Sequence, residues 1–155
     1  MKWRRRTIAF IALALFVVIQ FYQPRQGEGT PSAQPGHIEA VAHVPVPVKD
    51  LLQRSCYDCH SNATDYPWYS YVQPVGWWLE GHISEGKEEL NFSEFGSYSS
   101  RRQASKLESV KGQLRKGAMP PESYRSLHKD AQLSQAETQV LIDWVEALQD
   151  SLSQE

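Results

Sequence analysis

Apolar residues recur every third or fourth position in four stretches of this chain beyond residue 48, and each stretch predicts an amphipathic helix. The first, about Lys49 to Ser61, has Leu51, Leu52 and Cys56 on one face, with Val48 just ahead. In the second, about Pro74 to Leu90, the residues Val75, Trp78, Leu79, His82, Ile83, Gly86 and Leu90 share a face, and Pro74 suits a first turn. The third, about Ser100 to Lys116, aligns Ala104, Leu107, Val110 and Leu114. Gly117 stops it after two cations in the last turn. The fourth opens with Ser134 as cap and Glu137 as its capping-box partner. Val140, Leu141, Trp144, Val145 and Leu148 then form its apolar stripe. No alternating strand pattern of useful length interrupts these helices, so the expected fold class is all-α.

The residues ahead of the helices have a different pattern. Lys2, Arg4, Arg5 and Arg6 form a basic head, and Thr7 to Tyr22 is an uncharged, largely apolar run of 16 residues. A basic head before an apolar run is an export signal. At 1.5 Å per residue the run covers about 24 Å, somewhat short of a ~30 Å hydrocarbon core, with Trp3, Tyr22 and the arginines as interfacial extensions. No small-x-small cleavage site follows it. Residues 1–22 are therefore expected to be an uncleaved transmembrane anchor, with a cleaved signal peptide as the alternative. The expected location is the inner membrane, spanned once, with the soluble domain in the periplasm or outside. Residues 23–47, rich in Pro, Gly, Ser and Gln, read as a flexible linker, and 48–150 as the domain proper.

Charge narrows the function classes. Beyond residue 22 there are 12 Lys and Arg against 18 Asp and Glu. An acidic domain without a basic stripe does not read a phosphate backbone, so no nucleic-acid partner is expected.

Candidate chemistry concentrates in "RSCYDCHSNATDYPWYS", which holds both cysteines of the chain. Cys56-Tyr57-Asp58-Cys59-His60 is C-x-x-C-H, the attachment signature of c-type haem. Cysteines three apart lie on one side of a helix, where their sulfurs reach the two vinyl groups of a porphyrin. The following imidazole then reaches the iron. Three other chemistries compete. A thioredoxin-like pair follows a strand in a βαβ unit, and none is visible. A zinc site needs four ligands, and there is no second cysteine pair. A disulfide across two residues is strained and closes almost no loop. The reading is one covalent haem c, with Cys56 and Cys59 as thioether links and His60 as the proximal ligand.

For the distal side, Met119 is the one methionine besides Met1, in the Gly/Pro loop "KGAMPPESY" before the last helix. A His/Met pair is a common axial set in cytochromes c. Met119 as an ordinary gap-filling core residue is the alternative. His82, on the apolar face of the second helix, is the rival ligand. His128 and His43 read as surface or structural residues, and His37 as part of the linker. Tyr66, Trp68 and Tyr69 in "YPWYS" either line the crevice or pack the loop.

From Cys56 to Trp144 the chain resembles the small bacterial haem-binding domain family related to monohaem cytochrome c. The pieces that carry the resemblance are "CYDCHSNATDYPWYSYVQPVGWWLEGHISEGKEELNFSEF" and "GAMPPESYRSLHKDAQLSQAETQVLIDWV". The resemblance implies a cytochrome c-like helical domain around one haem, with Cys56 and Cys59 as links, His60 proximal and Met119 distal. It implies no substrate. The expected function is one-electron transfer between redox partner proteins by a membrane-anchored cytochrome, a carrier rather than an enzyme. A peroxidase-like module or a haem-based sensor is the alternative, and either requires an open or displaceable distal position.

Overall fold

The computed structural model describes residues 2–24 and 34–153. Every regular element in them is a helix: α1 (Lys2–Ile19), α2 (Ile38–Val41), α3 (Val46–Ser55), α4 (Tyr57–His60), α5 (Val75–Glu89), α6 (Ser100–Arg115), α7 (Glu122–Leu127) and α8 (Gln135–Leu152). Tighter 3₁₀ turns cover Trp68–Tyr71, Phe92–Ser97 and Lys129–Ala131.

Three of the four expected helices form where their patterns place them, as α5, α6 and α8. Ser134 Oγ accepts from Glu137 N–H, and the Glu137 carboxylate accepts in return from Ser134 N–H, so α8 opens on a complete capping box. Ser99 Oγ caps α6. The end of α6 is a Schellman motif: Gly117 takes φ +62°, its N–H donates to Leu114 O, and Ala118 N–H donates to Gln113 O. The helix expected over 49–61 is instead two. At Cys56, with φ −131° and ψ −43°, α3 ends and α4 starts at an angle to it.

The apolar stripes of α3, α6 and α8 meet in one core. Leu52, Leu107, Leu141 and Val145 are almost wholly buried there, with Phe92 and Phe95 contributed by a 3₁₀ turn that no periodicity announced. α6 and α8 are also stitched by Arg115 to Glu146 at 2.8 Å and by Gln149 Nε2 to Ala104 O at 3.1 Å. Of the stretch expected as a linker, residues 25–33 lie outside the described residues. Residues 34–47 pack on the domain: Gly36 O accepts from Gly96 N–H at 2.8 Å, and His37 and Ile38 are wholly buried.

The membrane anchor is overturned. Among the described residues no helix is long and apolar enough to cross a membrane. The apolar run is helical, but α1 stops at Ile19 and spends four of its first five positions on Lys2, Arg4, Arg5 and Arg6. Its uncharged part, Thr7 to Ile19, covers about 20 Å at 1.5 Å per residue, well under the ~30 Å needed. Tyr22, expected inside the run, lies beyond the helix, and its carbonyl accepts from Trp77 Nε1–H at 2.9 Å. The side chains of Gln20 and Gln23 bond Gln73 at 2.8 Å each, so the segment after α1 docks on the start of α5. The expected single-pass inner-membrane location falls with the anchor.

Candidate functional site

His60 closes α4, and its ring is held from one side. Nδ1 lies 2.8 Å from Gly86 O and 3.0 Å from Leu90 O. A carbonyl oxygen only accepts, so Nδ1 carries a proton, and in the neutral ring the lone pair is on Nε2. Gly86 lies in the last turn of α5 and Leu90 is its C-cap, and the Gly86 carbonyl also accepts from Leu90 N–H at 2.9 Å. A hydrogen bond on the far ring nitrogen fixes the tautomer and ring orientation of a metal-binding histidine. No hydrogen bond among the described residues occupies Nε2.

Gly86 makes this contact possible. A Cβ there would lie 2.6 Å from Cys59 O and 3.3 Å from its carbonyl carbon, so only glycine lets α5 approach α4 this closely.

Cys56 and Cys59 are unbridged and half-buried. Burial, then the neighbouring Cys59, pushes the Cys56 thiol up to about 12. Burial, then Asp58, pushes the Cys59 thiol up to about 11. Reactive thiols of dithiol oxidoreductases are shifted the opposite way, towards the thiolate.

Between the cysteines, Asp58 is a junction. Its backbone carbonyl accepts from Thr64 Oγ1–H at 2.7 Å, and its carboxylate accepts from Asp65 N–H at 3.0 Å and from the phenol of Tyr124. Tyr124 belongs to α7, which follows Met119 directly. The bond therefore ties the methionine loop to the cysteine segment. Burial, then the hydrogen bond that it donates to Asp58, pushes the Tyr124 phenol well above its ordinary range.

Two adjoining cavities open beside these groups, of about 210 and 240 Å³. Both are lined by Cys56, His60, Glu89 and Met119. The first runs into the core, against Leu52, Phe92, Leu141, Trp144 and Val145. The second adds Cys59, His82, Glu85, Pro121 and Tyr124. Met119 follows the Schellman turn and is 40% exposed. The structure thus brings Cys56, Cys59, His60, His82 and Met119 to one cleft. His82 is also singly engaged: Nδ1–H donates to Trp78 O at 2.9 Å, and the ring packs 4.3 Å from that of Trp78.

The remaining aromatics and histidines lie elsewhere. Tyr66, Trp68 and Tyr69 line neither cavity. Tyr66 OH donates to Glu80 at 3.1 Å, Tyr69 OH donates to His128 Nε2 at 3.4 Å, and Trp68 is exposed. His128 stacks on Tyr124 at 4.0 Å. His37 is wholly buried, and its Nδ1 accepts from Glu39 N–H to cap α2. Gly86, Asp58 and Tyr124 are the site residues that sequence reasoning did not single out. Gly86 stood only as one member of an apolar face.

The donor set fits a haem iron. An imidazole held through Nδ1 leaves Nε2 without a hydrogen bond, a thioether shares the same cleft, two thiols stand beside them, and an apolar cavity adjoins. A family model described as a haem-binding domain matches residues 14–147, most of the chain. No curated protein and no solved structure matches it.

Proposed function

This chain belongs to the haem-binding domain family, and from that premise we propose that it is a monohaem c-type cytochrome that passes single electrons between protein partners. Cys56 and Cys59 would hold the haem as thioethers, and His60 Nε2 and Met119 would supply ligands to its iron. The bound haem contributes a reversible one-electron couple. The residues do the rest. Gly86 and Leu90 carbonyls hold the His60 proton on Nδ1 and raise the basicity of Nε2. The apolar wall of Leu52, Phe92, Leu141 and Val145 keeps water from the buried side. Glu85 and Glu89 stand at the cleft and favour a partner with a basic face.

The observation that supports this reading most is the His60 tautomer, set by two carbonyl acceptors and leaving one ring nitrogen free beside two cysteines. The test is the mass of protein made in a host that matures c-type haem. The expected gain is about 616 Da, one haem, retained after denaturation. An unchanged mass, or haem lost on denaturation, overturns covalent attachment. His60→Ala is expected to abolish the low-spin spectrum while the added mass remains.

A second reading is favoured by the exposure of Met119 and by His82 and Glu85 in the same cavity. A displaceable sixth ligand beside two groups that handle protons suits small-molecule binding or peroxide chemistry. Carbon monoxide binding to the reduced protein at a rate that Met119→Ala leaves unchanged would favour it over electron transfer.

A further inference from the structure

Lys106 is the only lysine or arginine that lines either cavity among the described residues. Its side chain is 21% exposed, so its aliphatic stem lies against protein while the ammonium reaches the rim. Its partner is Glu89 Oε2 at 3.5 Å, on a side chain 84% exposed, a pairing that contributes little. The two cations that follow it on α6 are committed elsewhere. Lys111 pairs with Glu108 at 2.7 Å and Arg115 with Glu146 at 2.8 Å, on the α8 side. Ser109 and Gln113 follow Lys106 by three and seven residues, share its helix face and line the same cavity. Most of the remaining wall is apolar.

We infer that this stripe on α6 binds the two carboxylates of the cofactor. The inference rests on the haem reading and adds the orientation of the ring: carboxylate edge against Lys106, Ser109 and Gln113, vinyl edge towards Cys56 and Cys59. An apolar cleft that accepts a dianion must supply a cation or leave the charges in water. Lys106 supplies the cation. The Gln113 amide donates an N–H, and the Ser109 hydroxyl, which donates to Ser105 O at 3.1 Å, rotates to donate instead. Glu89 opposes the same charges, so Lys106 exchanges a weak, exposed partner for a bound one.

The test titrates the full-length, haem-free chain with ferric haemin and with haemin dimethyl ester, whose carboxylates are masked. The wild type is expected to bind haemin about tenfold more tightly than the diester, the scale of one charge-assisted contact. Lys106→Met is expected to erase most of that ratio, and Glu89→Gln to raise it by weakening haemin repulsion alone. Equal binding of the two ligands by the wild type overturns the inference. So does an unchanged ratio in Glu89→Gln and Lys106→Met. If Lys106→Met fails to fold, Glu89→Gln still decides, because it keeps the lysine. Failure of both ligands to bind takes down the haem reading itself, and the orientation with it, a result distinct from an unaltered ratio.

Discussion

The ring of His60 hangs from the carbonyl oxygen of Gly86 at 2.8 Å, and the same glycine is the only residue type that fits there. One position of α5 thus sets the spacing of two helices and supplies one of the two acceptors on His60 Nδ1. The acceptor is a backbone atom, so no side-chain change removes it without also moving the helix.

That coupling distinguishes two glycines of α5. A Cβ at Gly86 meets Cys59 O at 2.6 Å, whereas one at Gly81 meets nothing within 4 Å. Gly86→Ala is expected to cost about 1–3 kcal/mol through overpacking and to shift the haem spectrum, because the carbonyl that holds His60 moves away with α5. Gly81→Ala is expected to gain about 0.5–1 kcal/mol, since an exposed helical glycine carries only the entropic cost. Thermal unfolding of the two variants checks the opposite signs. A destabilised Gly81→Ala, or a neutral Gly86→Ala, would contradict the packing described here.

Tyr124 joins the other two parts of the site. Its phenol donates to the Asp58 carboxylate across 66 residues of chain, holding α7 and the loop that carries Met119 against the cysteine segment. A hydrogen bond to a charged acceptor contributes about 1.5–3 kcal/mol. Tyr124→Phe keeps the ring stack on His128 and removes only that bond. It is expected to lower stability by an amount in that range and to speed carbon monoxide binding to the reduced protein, as the methionine loop loosens. Stopped-flow traces indistinguishable from wild type would separate the loop from this clasp.

The helices α5, α6 and α8 were legible because apolar spacing ran through each, and at α8 the cap agreed as well, Ser134 with Glu137. C-x-x-C-H was legible because its chemistry is local. The break at Cys56 was not, since the apolar face of α3 runs through it without a proline or glycine. Phe92 and Phe95 sit in a turn too short to show a period. His37 hid in a stretch whose composition reads as linker. In the folded chain its ring packs edge-on to Tyr57, which is itself backed by Phe92. The span of α1 misled for a related reason: hydropathy counts apolar residues, but the helix ends where Gln20 and Gln23 find partners on Gln73. Asp58 and Tyr124 carry no local signal of each other.

His37 gives a pH dependence with a definite sign. Burial holds its pKa below the ordinary imidazole value, with Glu39 opposing that shift and Lys49 reinforcing it. The ring packs edge-on to Tyr57 at 5.3 Å, and Nδ1 accepts from Glu39 N–H. The neutral ring is therefore the native form. Below about pH 6.5 the unfolded chain takes up the proton and the folded chain resists it. Stability contributed by this group is full above that pH and declines as pH falls towards the folded value. His37→Asn, which keeps a cap acceptor and does not titrate, is expected to flatten the fall in urea-unfolding free energy between about pH 6.5 and 5. An identical slope in the variant would assign the acid sensitivity to other groups.

Met119 and His82 are the two side chains in the cleft that compete for the distal position, and their surroundings favour the methionine. Met119 lines both cavities together with His60, whereas His82 lines only the second. His82 is also held by Trp78, through its carbonyl at 2.9 Å and its ring at 4.3 Å, so reaching an iron would cost it the ring contact. The loop that carries Met119 starts from the fixed Schellman turn at Gly117, and Pro120 behind it is buried. The ferric holoprotein is accordingly expected to show the weak absorption near about 695 nm that attends methionine ligation. Met119→Ala should abolish the band and lower the reduction potential, because a thioether favours the ferrous state more than water or imidazole does. His82→Ala should leave the band in place. The reverse pattern, with the spectrum untouched in Met119→Ala and altered in His82→Ala, would transfer the ligand to α5 and make the protein a bis-histidine cytochrome of lower potential.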